Sequence, residues 1–329
     1  MIHRNVHMGR RVFLHALTAA GALWALPSRA QGKPLFQTLN MFVPAAPGGG
    51  WDATGRAIGR AATAAGLVGH MAFENVAGAG GMVGLPRYVN QRKGQGNSLM
   101  IGGSVMVGAA IANRSPVTMR NVTPIARLTE EAVVVAVPAS GKIKTWKELE
   151  AAFKASPKAV SVAGGSAGGT DHVVLGLIVK ALGRNPRDAA YVAFSGGGPA
   201  NAALLGGQVV AGISGYSEFE QQIKAGRLIP LAVAGNRRIP EVNVPTLTEL
   251  GLNVTAANWR GVFAPPGISV AQRDALVTFM TRVHASEAWR KELQTRKWTD
   301  VFLAAQAFER EIAANIRDTE TIMKELGLA

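Results

Sequence analysis

The 329-residue sequence predicts an α/β protein of two lobes with a cleft between them. Three observations carry that expectation. Short β-branched runs alternate with amphipathic stretches; the alternation occurs twice, the second set opening on the apolar run 132–137; and glycine-rich turns stand where a strand hands over to a helix. With 48% hydrophobic residues the chain can fill two cores. It shows no fixed-period repeat and no low-complexity tract, which excludes a solenoid.

Read in order, the expected strands are 38–43, 71–75, 98–102, 132–137, 159–162, 190–193, 209–213, 229–234 and 261–264. Between them the period lengthens, and helices are expected at 52–65, 81–90, 145–155, 170–182, 199–205 and 217–225, then at 270–285, 287–296 and 304–326. Residues 31 to about 130 make one βαβα set and 131 to about 230 a second. Proline-spaced turns follow, at Pro240, Pro245 and Pro265-Pro266, and the last three helices need a sheet to cover. The simplest closure returns the C-terminal part to the first lobe. Lobe 1 would then be 31–131 plus 235–329 and lobe 2 would be 132–234, with strands 132–137 and 229–234 crossing between them as a hinge.

Residues 1–30 read as an export signal and stand outside the fold. Arg4, Arg10 and Arg11 precede an apolar run from Val12 to Leu26, and Pro27-Ser28-Arg29-Ala30 offers small residues for cleavage near Ala30. The run is too short to cross a bilayer, and nothing later is long and apolar enough to do so. Arg10-Arg11-Val12-Phe13-Leu14 also fits a twin-arginine pattern, which leaves the export route open and the periplasm as destination.

Composition narrows the function classes. Zero cysteine removes disulfide scaffolds, thiolate metal sites and cysteine nucleophiles; six scattered histidines without an HExxH pairing argue against a transition metal, and no cofactor is expected. The formal charge is +14; setting aside residues 1–30 removes four of the 35 basic residues and none of the 21 acidic ones, so the mature surface stays basic. Such an excess steers anions. Aromatic content is 6% and no basic stripe is interleaved with aromatics, so nucleic acid is not the expected partner; a small anion is.

Four glycine turns are the candidates for holding it: Pro47-Gly48-Gly49-Gly50-Trp51-Asp52, Ala77-Gly78-Ala79-Gly80-Gly81, Gly164-Gly165-Ser166-Ala167-Gly168-Gly169-Thr170-Asp171 and Ser195-Gly196-Gly197-Gly198-Pro199. Turns at the carboxyl ends of strands in an open α/β sheet are where ligands bind, and glycine lets backbone N–H groups approach an anion. A lone helix terminus contributes only ~0.3–1 kcal/mol to an exposed anion. Micromolar capture, about −8 kcal/mol, therefore needs donors from both lobes, and Ser166, Thr170 and Ser195 add hydroxyls.

Each feature has a plainer reading. Glycine can merely permit a tight connection; Asp52 and Asp171 suit first-turn acids; Trp51 and His172 suit packing as well as a ligand; Arg56 and Arg60 suit a solvated face. Gly164-Gly165-Ser166-Ala167-Gly168 satisfies GxSxG between a strand and a helix, the context of a hydrolase nucleophile. Asp171 and His172 lie within a turn of Ser166, too close for a separated triad, and the remaining later histidine is His284. Gly78-Ala79-Gly80-Gly81-Met82-Val83-Gly84 lacks the acid that a dinucleotide loop needs about 20 residues on, and no GxxxxGK[ST] occurs.

Taken together these residues resemble the Bug-type extracytoplasmic solute-binding receptors of tripartite tricarboxylate transporters. The resemblance rests on Pro47–Asp52, on Glu74-Asn75-Val76-Ala77-Gly78-Ala79-Gly80-Gly81, on Gly165–His172, and on Leu204-Leu205-Gly206-Gly207-Gln208-Val209. Further along, Lys224-Ala225-Gly226-Arg227-Leu228, Val244-Pro245-Thr246-Leu247 and Trp259–Gly267 also correspond, in order, across nearly the whole chain from Lys33.

The resemblance implies a type 2 periplasmic-binding-protein fold, binding without catalysis, and hand-over to membrane permease subunits by a monomer. It implies a ligand set of Gly48, Gly49, Gly50, Trp51, Asp52, Gly80, Ser104, Ser166, Ala167, Gly168, Thr170, Asp171, His172, Ser195, Gly196, Gly197 and Ser217. Many such receptors carry an aspartate after strand 209–213, where Ser214-Gly215-Tyr216-Ser217-Glu218 stands here. That resembles the tricarboxylate branch, so a citrate-like di- or tricarboxylate is expected, with Glu218 a partial substitute for the aspartate. A serine hydrolase using Ser166 and a sensor for a membrane kinase are the alternatives. Gly49→Val and Gly168→Val are expected to abolish ligand response without unfolding the protein.

Overall fold

The first strand, β1 (Phe36–Val43), runs into a glycine turn and then α1 (Gly50–Ala64). β2 (Val68–Asn75), α2 (Gly84–Gln91), β3 (Ser98–Gly103) and α3 (Ser104–Ala112) follow, and a 16-residue strand, β4 (Thr123–Pro138), closes the first set. The second set is α4 (Trp146–Ala155), β5 (Val162–Gly164), α5 (Thr170–Ala181), β6 (Tyr191–Ala193), α6 (Gly197–Leu205), β7 (Ala211–Gly215), α7 (Tyr216–Lys224) and β8 (Leu228–Ala234). The chain ends with β9 (Ala257–Ala264), α8 (Val270–Ala285), α9 (Glu287–Arg296), β10 (Thr299–Ala304) and α10 (Ala305–Leu326). This is a computed structural model, and it describes residues 33–239 and 242–329; the export signal read at 1–30 lies outside the described residues.

β4 organises the sheet. Over Thr123–Ala132 it pairs antiparallel with β9, and its residues Ala126–Glu130 also pair with β10; over Val133–Pro138 it pairs with β8, and Val133–Ala136 also pair with β7. Parallel pairs complete each end, β2-β1-β3 on one side and β7-β5-β6 on the other, giving the order β2-β1-β3-β9-β4-β7-β5-β6. The expected crossing strand 132–137 is thus the second half of one longer strand. The expected crossing of 229–234 is not observed: β8 stays beside the second half of β4, and the chain returns through 242–256 to β9. Leu247, Leu252 and Val254 on that return are buried with Val133, Val135 and Leu175.

The apolar pattern explains what was legible and what was not. α1 is amphipathic, and Gly55 and Gly59 bring it close to the sheet: a methyl at Gly59 would lie 2.8 Å from Phe73 Cζ. α3, absent from the sequence reading, is apolar on every side (SVMVGAAIA), so it carries no helical periodicity although Met106, Val107 and Ala109 are buried. The first half of β4 was missed because Pro124, Arg127, Glu130 and Glu131 break its alternation. β10 was missed because it is a short edge strand between two helices.

Buried apolar side chains fall into separate clusters. One gathers Leu39, Met41, Leu99, Phe263, Phe279 and Trp289; others gather around Val135, Leu149 and Ile178, and around Val134, Leu204 and Phe219. Two helices open with complete capping boxes, Thr145 with Glu148 at α4 and Ser269 with Gln272 at α8. α1, α5 and α6 open on glycine with no side-chain cap, which leaves their first N–H groups free of side-chain acceptors from the capping position. No helix among the described residues is long and apolar enough to cross a membrane.

Candidate functional site

Asp52 builds the first turn. Its Oδ2 accepts from the Gly48 amide at 3.0 Å and Arg56 Nε at 2.9 Å, and its Oδ1 accepts from Asn75 Nδ2 at 3.0 Å. Asn75 also donates to the Ala45 carbonyl, which binds the end of β2 to the same loop. Burial works to raise the Asp52 pKa, but the hydrogen bonds from Arg56, Gly48 and Asn75 outweigh it, and the group stays an anion below its ordinary range. The loop is therefore curled over the start of α1, with Gly48 at φ +86° where other residues are strained.

The second turn reaches across to the third. Gly80, at φ +64°, packs so closely that a methyl would lie 2.6 Å from Ala109 Cβ and 3.2 Å from Ser166 Cβ. The third turn is shaped by three side chains behind it. Asp171 Oδ2 accepts from the Gly165 amide at 2.8 Å, His172 Nδ1 accepts from the Gly168 amide at 3.1 Å, and Tyr191 Oη donates to the Gly165 carbonyl at 2.8 Å. His172 stacks on Tyr191 with centroids 4.2 Å apart, and burial pushes its pKa down to about 4, so the ring is a neutral acceptor. Burial pushes Asp171 up to about 7. The fourth turn, with Gly196 at φ +139°, opens α6.

All four turns border one cavity of about 360 Å³, walled by residues 44–51, 78–81, 165–166 and 195–199 together with Val105, Asp171, Ser214, Glu218, Asn258 and Arg260. Of the residues singled out from sequence, Gly48, Gly49, Gly50, Trp51, Gly80, Ser166, Asp171, Ser195, Gly196 and Gly197 are on this wall. Asp52, Ala167, Gly168 and His172 are not, Asp52 and His172 being turned toward the turn amides they hold. Ser104 and Thr170 are bonded to each other at 2.9 Å, and Ser104 also donates to Asn258 Oδ1 at 3.2 Å. Ser217 stands off the wall too, its amide donating to Glu131 Oε1 at 2.6 Å.

The floor of the cavity was not assembled from sequence. Arg260 on β9 and Glu131 on β4 form an ion pair at 2.5 Å with side chains only 3% and 2% exposed. Arg260 Nε and Nη1 are buried without hydrogen-bond partners, and its guanidinium lies 5.5 Å from the Trp298 ring centroid. Glu218, in the first turn of α7, accepts from Ser214 Oγ and from the Gly50 amide; burial, and secondly the nearby Glu131, push its pKa up. Glycine is required around these groups: a methyl at Gly50 would lie 2.6 Å from Arg260 Nη2, and one at Gly215 would lie 2.7 Å from Glu131 Cδ. The available signal was a charge inside an apolar strand, Arg260 within Ala257–Ala264 and Glu131 beside 132–137.

Chemically the wall offers peptide N–H groups and hydroxyls, suited to carboxylate oxygens. Among the described residues no hydrogen bond joins Ser166 to a histidine: His172 accepts from the Gly168 amide and stacks on Tyr191, and His284 pairs with Asp300 at 2.8 Å. Among the described residues no group of three potential metal ligands gathers.

Solved structures share the arrangement. The periplasmic binding protein BugD superposes with a TM-score of 0.78 at 23% identity, over 88% of this chain and 98% of that one. MatC from Rhodopseudomonas palustris, with bound malate, gives 0.70 at 26% identity over 89% and 97%. A second R. palustris protein, with adipate, gives 0.77 at 22% identity over 89% and 98%. The fold is that of these binding proteins. The profile of the tripartite tricarboxylate transporter family receptor matches residues 60–328, and the chain belongs to that family. Protein BugT of Bordetella pertussis is 27% identical over 309 residues, 92% of this chain and 90% of that one.

Proposed function

We propose that this receptor captures a small di- or tricarboxylate, citrate-like at the upper end of size, and delivers it to the membrane permease subunits of a tripartite transporter. The observation that carries the reading is the convergence of four glycine turns, from both ends of the sheet, on one cavity of about 360 Å³. Amides of residues 49, 80, 166 and 195–197, which the side chains of Asp52, Asp171 and Glu218 do not occupy, then hold the ionised carboxylate with the Ser166 and Ser195 hydroxyls. Two relatives hold malate and adipate, which supports ligands of four to six carbons.

In this reading residues 34–131 with 257–329 form one lobe and 132–254 the other, and the cavity opens and closes by flexing β4 near Ala132 and the return segment near Ala256. The mature receptor is a periplasmic monomer exported by the signal in residues 1–30. A thermal-shift screen of organic acids tests the reading. A ligand at 100 times its Kd stabilises by ~2.7 kcal/mol. A stabilising carboxylate is expected; a panel of di- and tricarboxylates that leaves the melting curve unmoved would refute it.

A further inference from the structure

Among the described residues that wall the cavity, Arg260 of β9 is the one cation. Its direction follows from the strand's alternation. Trp259 turns away, its ring meeting Phe308 with centroids 5.9 Å apart and its Nε1 donating to Asn315, whereas Asn258 and Arg260 both border the cavity.

The guanidinium is held in place but not saturated. Nη2 donates to Glu131 Oε2 at 2.5 Å, and the group lies 5.5 Å from the Trp298 ring centroid. Nε and Nη1 are buried and have no hydrogen-bond partner. A guanidinium carries five N–H groups, and a buried charged group loses more by leaving them unpaired than a neutral one does. Gly50, the first residue of α1, marks where the group passes: a methyl there would lie 2.6 Å from Nη2, 3.0 Å from Cζ and 3.4 Å from Nε. Gly50 is itself on the cavity wall, next to Gly49, so the guanidinium stands beside the first glycine turn.

The acids nearby are engaged elsewhere. Glu131 takes Nη2 and the Ser217 amide, Glu218 takes Ser214 and the Gly50 amide, and Asp171 takes the Gly165 amide. None of them bonds Nε or Nη1. Burial displaces Glu218 and Asp171 toward their protonated forms, so the floor carries less negative charge than its three acids would suggest.

We infer that Arg260 is a specificity-determining residue of the cavity: a second ionised carboxylate of the ligand accepts from its Nε or Nη1 while the turn amides hold the first. The inference rests on the carboxylate reading above and narrows it to ligands with at least two ionised carboxylates. Peptide amides hold a carboxylate by dipoles alone, whereas a guanidinium adds a full charge and a charge-assisted hydrogen bond. A ligand with one carboxylate and a neutral far end leaves that charge with Glu131 only, and the difference between the two ligands is the selectivity.

The test is isothermal titration at pH 7.5 of succinate, glutarate and adipate, each paired with its monoamide. The proteins are the parent, Glu131→Gln, and the double variant Arg260→Met with Glu131→Gln, which removes the cation without stranding a buried charge. The parent is expected to bind the diacid of the fitting length about tenfold or more tightly than its monoamide, as one charge-assisted hydrogen bond implies. Glu131→Gln, which withdraws the competing carboxylate and keeps an acceptor for Nη2, should retain the preference and bind the diacid more tightly than the parent does. In the double variant the preference should vanish while the monoamide binds as in the parent. Equal affinity of the parent for diacid and monoamide, or a preference that survives in the double variant, overturns the assignment. Parallel loss of both ligands in both variants overturns it too, since the pair would then be a structural floor only. Should the double variant fail to fold, Glu131→Gln decides alone, and no gain in diacid affinity overturns the assignment. If no acid or monoamide binds the parent, the carboxylate reading itself falls, a result distinct from binding without discrimination.

Discussion

Replacing Arg260 by Met leaves Glu131 as a buried anion with one amide donor, and the consequence can be worked from the geometry. The pair is 2.5 Å apart and the side chains are 3% and 2% exposed, so solvent screens it little. With charge centres about 4 Å apart and an effective dielectric constant of 20, the lost attraction is about 4 kcal/mol. That agrees with the 3–5 kcal/mol typical of breaking one partner of a buried pair. At roughly 2–4 °C per kcal/mol for a chain of this size, the melting point should fall by roughly 10 °C. The double variant Arg260→Met with Glu131→Gln strands no charge and keeps an acceptor for the Ser217 amide, so it should lie within about 2 kcal/mol of the parent. Urea denaturation of the parent, both single variants and the double variant gives the cycle. A loss below 1 kcal/mol in the single variant, or a double variant no better than the single, would refute the claim that this pair fixes the cavity floor.

Two further outcomes can be measured with the same preparations. Gly49→Val should fold normally, since the nearest atom to its new Cβ is the Ala46 carbonyl at 3.8 Å, yet it should weaken carboxylate binding at least tenfold by filling the cavity wall; unchanged affinity would remove that turn from the site. Gly168→Val should not fold normally, contrary to the expectation from sequence: its Cβ would lie 2.5 Å from Ala112 Cβ and 2.8 Å from the Gly108 carbonyl at φ +76°, a cost of roughly 2–4 kcal/mol checked by the denaturation midpoint. Asp171, raised to about 7, contributes stability that is fully present below about pH 4 and is lost as pH rises through 7, whereas His172, lowered to about 4, contributes stability that is present above about pH 6.5 and is lost as pH falls toward 4. Asp171→Asn removes only the first, so the parent should gain on the variant steadily from pH 8 to pH 5; a constant difference would contradict the burial of Asp171.

Much of the candidate site was legible because glycine at a strand-to-helix turn has few other reasons to be clustered. Gly48, Gly80, Gly168 and Gly196 do adopt positive φ, and three of the four lie on the cavity wall. Gly168 does not, because its conformation serves the close packing of the turn on Gly108 and Ala112. A local motif states that the backbone must turn sharply; it does not state whether a ligand or a neighbouring helix stands on the other side. His172 and Asp52 illustrate the same limit, being hydrogen-bond acceptors spent on the turn amides.

The alternation of short strands and helices determined the α/β class, and the composition together with the glycine turns determined that a small anion and no thiol chemistry was to be expected. Tertiary structure alone decided that β4 joins both halves of the sheet, that Leu247, Leu252 and Val254 pack with Val133 and Val135 before the chain enters β9, and that Glu131, Arg260 and Glu218 meet beneath the turns. Those three residues are separated by 87 and 42 positions along the chain. Periodicity and turn chemistry are written in neighbouring residues, whereas which buried charge faces which is set by strand pairing across such distances, and no local pattern encodes it.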